Sequence, residues 1–220
     1  MDFNSTAMGN ASKEGGRDFS TLKNHSSPKS PPTKTMKDVT RPPKKILVLG
    51  PCKAGKTAIS NYLGEQVDME SLGEYRPTKG VRIVEFESHE LEIHQQRVEV
   101  DVELWDCSGD ERYRDCWPAL LDSIEGVILV ANPDENKGED LRLWYQEFIA
   151  KSNLDPENVL VVLNEVGEKR TNDGAISEFQ LPPQLSSAVC AACNLQHEGD
   201  QLRLEFNQFL MTIIAKSEGY

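Results

Sequence analysis

Gly50-Pro51-Cys52-Lys53-Ala54-Gly55-Lys56-Thr57 follows directly on the apolar run Ile46 to Leu49. Two glycines separated by four residues, with Lys-Thr after the second, are the spacing of a loop that cradles phosphate. The glycines allow a tight backbone turn. The N–H groups of Lys53, Ala54, Gly55, Lys56, Thr57 and Ala58 then converge on a pair of phosphates, the Lys56 ammonium reaches the β/γ oxygens, and the Thr57 hydroxyl takes one Mg²⁺ position. A helix beginning behind the loop adds positive potential.

Two further stretches belong to the same chemistry. Leu104-Trp105-Asp106-Cys107-Ser108-Gly109 ends an apolar strand with a carboxylate, two small residues and a glycine. A strand running into an ordinary turn would carry the same residue types. Beside a phosphate loop, however, Asp106 is placed to orient a water on Mg²⁺ and the Gly109 N–H to meet a γ-phosphate. Between the first helix and the second strand, Tyr75 to Gly80 carries Thr78, whose hydroxyl completes the Mg²⁺ shell when a γ-phosphate is present; without it the segment relaxes, which makes a switch. The metal set is thus Thr57, Thr78 and Asp106, and the nucleotide set is Gly50, 53–58, Thr78 and Gly109.

The elements that must hold these residues alternate. Strand patterns recur at 45–49, 81–86, 98–105, 126–131, 159–163 and 186–193, and helical ones at 56–66, 111–124, 137–152 and 200–216. Such alternation predicts an α/β fold: six strands, mainly parallel, with helices on both faces. Strands two and three are separated only by the polar stretch 88–96, which predicts an antiparallel hairpin at one edge.

Composition divides the 220-residue chain unequally. Residues 1–44 carry eight Lys/Arg against four Asp/Glu, rich in Ser and Pro with almost no apolar periodicity. That segment is expected to be a disordered basic tail, leaving 45–217 as the domain. The remainder carries −16, which the tail's +4 reduces to the net −12; so acidic a surface disfavours nucleic acid and anionic membrane as partners. No apolar run is long enough to span a bilayer. The final residues, Ala215 to Tyr220, hold no cysteine for a prenyl group, so no lipid anchor is expected. Five scattered cysteines suit a reducing compartment, and the lone Cys190-Ala-Ala-Cys193 reads as strand rather than as a zinc or redox site. Trp117, Trp144 and Tyr145 lie on or beside the second and third helices, either packed inward or presented to a partner.

GPCKAGKT, YRPTKGV and ELWDCSGDERYR together resemble the Ras-like small GTPases of the Rab branch over roughly 45–216. More narrowly, Pro77 to Phe86, Glu103 to Asp110, Cys116 to Leu120 and the Leu181-Pro182-Pro183 segment are similar to the Rab-like protein five group, the small GTPase subunits of the intraflagellar transport B complex. The resemblance implies the phosphate-loop small-GTPase fold, bound GTP or GDP with Mg, and docking onto coiled-coil subunits of that complex. It also implies a place in the cilium or flagellum, the cytoplasm and the basal body region.

Two departures qualify what the resemblance implies. Where Ras-like proteins usually carry a glutamine that positions the attacking water, this chain has Asp110, so hydrolysis is expected to be slow and no residue is assigned as catalytic. After the fifth strand the family's Asn-Lys-x-Asp reads Asn164-Glu165-Val166-Gly167. Asn164 still reaches a base, but the carboxylate that accepts two guanine donors is missing, each such bond being worth roughly 1.5–3 kcal/mol. Glu165 and Glu168 are candidate substitutes, and Cys193-Asn194-Leu195 the best register for the last base-side motif. The leading expectation is a nucleotide-dependent docking module; a scaffold with structural or vestigial nucleotide is the alternative.

Overall fold

The computed structural model describes residues 42–66, 75–93, 95–165 and 178–218. Thr40–Tyr220 forms one compact unit; the other, Met1–Val39, lies outside the described residues, and with it most of the expected tail.

Six strands form one sheet: β1 (Lys44–Leu49), β2 (Val81–Ile93), β3 (Gln96–Cys107), β4 (Gly126–Ala131), β5 (Val159–Asn164) and β6 (Val189–Cys193). Their order is β2-β3-β1-β4-β5-β6. All neighbours run parallel except β2 and β3. The mainly parallel α/β sheet with one antiparallel edge hairpin is therefore as the alternation predicts.

Period-two patterning explains the two-sided burial. Ile46, Val48, Ile128, Val130, Leu160 and Val162 face one way, and pack with α1 (Lys56–Leu63) and α4 (Gly199–Glu218). Leu47, Leu49, Val127, Leu129, Val159 and Val161 face the other way. There they meet the 3₁₀ segment α2 (Glu111–Leu120) through Trp117, and the third helix through Leu141, Trp144 and Phe148. That third helix, α3, is wound three ways in succession: 3₁₀ over Gly138–Leu141, α over Arg142–Trp144 and π over Tyr145–Ala150. A strand buried on both faces is apolar along most of its length, which is why residues 46–49 of β1, β4 and residues 159–163 of β5 read as continuous apolar runs.

Three local readings are corrected. The polar stretch 88–96 is not a loop: β2 and β3 extend through it, with a register irregularity between Ser88 and Leu91 and only a tight turn at its end. Within it Ser88 and Leu91 are buried, while Glu92 and Gln95 are exposed. The second helix is 3₁₀ rather than α and stops at Leu120. Pro118, inside it, has no N–H to donate, and Ser123 follows at φ 56°. The last strand starts at Val189, not 186, and as an edge strand leaves Cys190 exposed while Cys193 is buried. Trp117 and Trp144 pack inward at 3% and 2% exposure, their rings 5.0 Å apart, so neither is presented to a partner.

Candidate functional site

The loop between β1 and α1 holds its shape by conformations that other residues resist. Gly50 has φ 140°, and a Cβ there would fall 2.1 Å from the Val130 carbonyl oxygen of β4. Gly55, which caps α1, has φ 95°, and a Cβ there would meet Asn164 Nδ2 at 2.0 Å. Lys53 is itself left-handed at φ 63°. The Asn164 side chain, at the end of β5, donates to the Ala54 carbonyl at 3.0 Å and so buttresses the loop from below. Lys56 curls back over the loop, donating to the Gly50 and Pro51 carbonyls at 2.9 and 2.7 Å. Its ammonium is buried, which pushes its pKa down, while the nearby Asp106 charge pulls it back up.

Three oxygen side chains from three elements meet beside this loop. Thr57 Oγ1 on α1 donates to Asp106 Oδ2 at the end of β3 over 2.7 Å, and lies 2.8 Å from Thr78 Oγ1. Thr78 also donates to Asp106 Oδ2 at 3.3 Å. Asp106 is wholly buried and its Oδ1 has no hydrogen-bond partner. Burial pushes its pKa up; the Thr57 hydrogen bond, then Arg82, Lys56 and Thr78, oppose the rise. Two hydroxyls around one carboxylate with an unpaired oxygen suit a small hard cation of the Mg²⁺ type, which takes oxygen ligands and keeps waters and substrate phosphates for its other positions.

Gly109 closes the opposite wall. A Cβ on it would fall 2.5 Å from the Cys52 nitrogen and 2.7 Å from Lys56 Nζ, so β3's exit, the loop and the lysine lie against one another. The two segments expected to switch are joined as well: the Ser108 N–H donates to the Gly80 carbonyl at 2.8 Å. Tyr75, at the start of the first segment, lays its hydroxyl against Cys52 and the Lys53 backbone.

Asp110 is where the geometry departs from a carboxylate aimed at phosphate. It caps α2, accepting the Arg112 N–H at 3.0 Å and the Arg112 Nε at 2.6 Å. These bonds hold its pKa below the usual carboxylate value. The carboxylate in the usual glutamine position is thus engaged with a guanidinium two residues away. At the base side, the β5–β6 register pairs Asn164 with Cys193, and the Glu165 N–H donates to the Cys193 carbonyl at 2.8 Å. The 193–195 turn thus sits beside Asn164, with Asn194 buried there. Gly167 and Glu168 lie outside the described residues. One charged neighbour was not foreseen. Arg82 stands opposite Asp106 in the β2–β3 register, its Nη2 3.6 Å from Oδ2, and only the exact strand pairing could have revealed it.

The sheet order, the glycine-turned loop and the Thr57–Thr78–Asp106 cluster define a Ras-like GTPase domain. The Roc family (Ras of Complex, Roc, domain of DAPkinase) matches residues 45–167. The chain is 41% identical over 202 residues to intraflagellar transport associated protein 2 of Caenorhabditis elegans, covering 79% of this chain and 80% of that one. It is 38% identical over 179 residues to the intraflagellar transport protein 22 homolog of Danio rerio, covering 79% and 93%. Among solved structures it is similar to GDP-bound IFT22 of T. brucei, with TM-score 0.61 and 28% identity, covering 80% of this chain and 98% of that one. The GTP-bound T. brucei IFT22/74/81 structure matches with TM-score 0.66 and 27% identity over 81% and 99%. The chain belongs to the intraflagellar transport protein 22 family of Ras-like small GTPases.

Proposed function

We propose that this chain binds GTP or GDP with Mg²⁺ in the Gly50–Thr57 loop and uses the bound nucleotide to control docking onto coiled-coil subunits of the intraflagellar transport B complex. The observation that carries the reading is the meeting of Thr57, Thr78 and Asp106 within hydrogen-bond distance of one another. Thr78 sits in a loop, not in a packed element. A cation and γ-phosphate held by the other two residues would therefore fix that loop, and through the Gly80–Ser108 bond also the segment beginning at Cys107. The Lys56 ammonium would neutralise the β/γ-phosphates, the loop N–H groups of 53–58 would take the α/β-phosphates, and Asn164 would meet the base. Bound Mg²⁺ supplies charge neutralisation on the β/γ oxygens.

Support for the partner comes from relatives. The T. brucei protein is described in complex with IFT74/81 and in GTP- and GDP-bound forms, and the curated relatives are named for intraflagellar transport. The same relatives support action in the cilium or flagellum; on this reading the chain would also be found in the cytoplasm and the basal body region. Slow hydrolysis would keep the docked form long-lived, because Asp110 is engaged with Arg112 and does not orient a water.

The test is titration of the corresponding 74/81 pair against GTP-loaded, GDP-loaded and Lys56→Ala protein. Tighter binding of the GTP form supports a switch, and a ligand shifts the equilibrium only by its differential affinity for the two states. Equal affinity in all three makes the chain a scaffold.

A further inference from the structure

We infer that Arg82 is a resident counter-cation of the metal carboxylate: it shares Asp106 with Mg²⁺, weakens Mg²⁺ binding, and lessens the dependence of nucleotide retention on the metal. The inference rests on the reading of Thr57, Thr78 and Asp106 as the cation's seat. Arg82 is the cross-strand partner of Asp106 in the β2–β3 pairing. Neighbouring strands bring directly opposed residues within about 5 Å of one another. Its Nη2 lies 3.6 Å from Asp106 Oδ2, the oxygen that also accepts from Thr57 and Thr78.

The guanidinium is not there by accident of a loose surface side chain. Asn61 Oδ1 on α1 accepts from the same Nη2 at 2.5 Å, so the group is fixed between α1 and β3. Arg82 Nε is buried without a partner, as is Asp106 Oδ1. A buried carboxylate with one positive neighbour already in place gains less from a second cation, because the two cations repel across a short distance that water screens only in part, the Arg82 side chain being 39% exposed and that of Asp106 buried. An arginine remains charged at every accessible pH. Asp106 therefore keeps a positive neighbour whether or not Mg²⁺ is bound. Arg82 also follows Thr78 closely in sequence, so the strand that carries the counter-cation is continuous with the switch segment.

The test uses the full chain and release of a fluorescent GDP analogue measured across free Mg²⁺, from chelator to millimolar. The variants are Arg82→Gln, which keeps a polar link toward Asn61 without charge, and Arg82→Lys, which keeps the charge; thermal melts establish that each is folded. The Mg²⁺ concentration that half-maximally slows release is expected to fall about fivefold in Arg82→Gln, the lower end of typical coupling between ligands of linked sites. It should stay within about twofold of wild type in Arg82→Lys, because the charge and not the hydrogen bond sets the competition. An unmoved or raised midpoint in Arg82→Gln overturns the inference, and so does an equal fall in both variants, which would assign the effect to geometry. Failure of the wild type to bind the analogue at any Mg²⁺ concentration would overturn the nucleotide reading itself.

Discussion

Asp106 has its carboxylate in a place that water does not reach, and the cost is visible in its raised pKa, set first by burial. A folded-state pKa above the unfolded one means that the folded chain holds the proton more tightly. The penalty is thus absent well below the ordinary value of 3.8, grows as pH rises from there through the folded pKa, and is fully present at neutral pH. Asp106→Asn should therefore raise the neutral-pH stability of the nucleotide-free protein. It should also flatten the acid-side stability profile while weakening Mg²⁺-dependent nucleotide binding; chemical denaturation at several pH values checks the first part and calorimetry the second. Lys56→Ala should abolish measurable GTP binding in calorimetry with the melt still cooperative, because its buried ammonium, unlike that of the exposed Lys53, is folded over the loop onto the Gly50 and Pro51 carbonyls. Asp110 makes a kinetic prediction. Tied to Arg112, it leaves intrinsic hydrolysis at or below about 10⁻⁴ s⁻¹, the scale of a small GTPase that has its glutamine, and Asp110→Gln should not slow it in a single-turnover assay. At this scale the sequence was legible where chemistry is local: the loop and Asp106-Cys107-Ser108-Gly109 announce themselves by type and spacing. Arg82 was not, because its meaning depends on a strand register that no nearby residue encodes.

Elements position those residues by close approach, and two substitutions probe this. Gly109 sits where β3 leaves the sheet, against the Cys52 backbone and Lys56. Gly109→Ala must push the phosphate loop aside, since a 2.5 Å approach to a backbone nitrogen has no flexible atom to yield. Nucleotide affinity should drop at least tenfold with little change in melting temperature, which fluorescence titration and a thermal melt would show together. Trp117 anchors the irregular α2 to α3 through Trp144 and Phe148, its ring 5.0 and 5.3 Å from theirs. Trp117→Ala should cost about 3 kcal/mol or more, the range for large aromatic truncations in a core. The cost is measurable by urea denaturation. The sheet was legible because β1 from Ile46, β4 from Val127 and β5 as far as Leu163 are unbroken apolar runs that can be little else. The length of β2 and β3 was not, because Leu91 and Ile93 are the only apolar residues between Ser88 and Gln96, too short an alternation to mark a strand against so many polar neighbours. Nor was the winding of α3, since 3₁₀, α and π turns share nearly the same apolar spacing over so few residues.

At the scale of the whole molecule, the question is whether the two segments around the site respond as one. Residues 75–80 lead into β2 and 107–116 lead out of β3, and these strands are each other's antiparallel partners from Val81–Cys107 onward. The Ser108 N–H bonded to the Gly80 carbonyl extends that pairing by one step into both segments. Further along, Lys45 on β1 lies 4.0 Å over the Trp105 ring and donates to the Leu120 and Asp122 carbonyls, so the far end of α2 is tied back to the same strands. Ordering of Thr78 by a γ-phosphate and Mg²⁺ should consequently slow amide exchange in both segments together, while GDP leaves both faster; a nucleotide that ordered only one would have to break the Gly80–Ser108 link. Thr78→Ala removes the hydroxyl that reports on the cation but leaves Lys56, Thr57 and the loop N–H groups in place. The variant should therefore retain most of its GTP affinity, lose the GTP-dependent protection of 107–116 as well as of 75–80, and bind the 74/81 pair with the affinity of the GDP form. Hydrogen-exchange mass spectrometry on GTP-loaded wild type and Thr78→Ala decides it. Protection of 107–116 that survives the loss of the Thr78 hydroxyl would mean that Gly109 senses the γ-phosphate alone and that the two segments are separate switches.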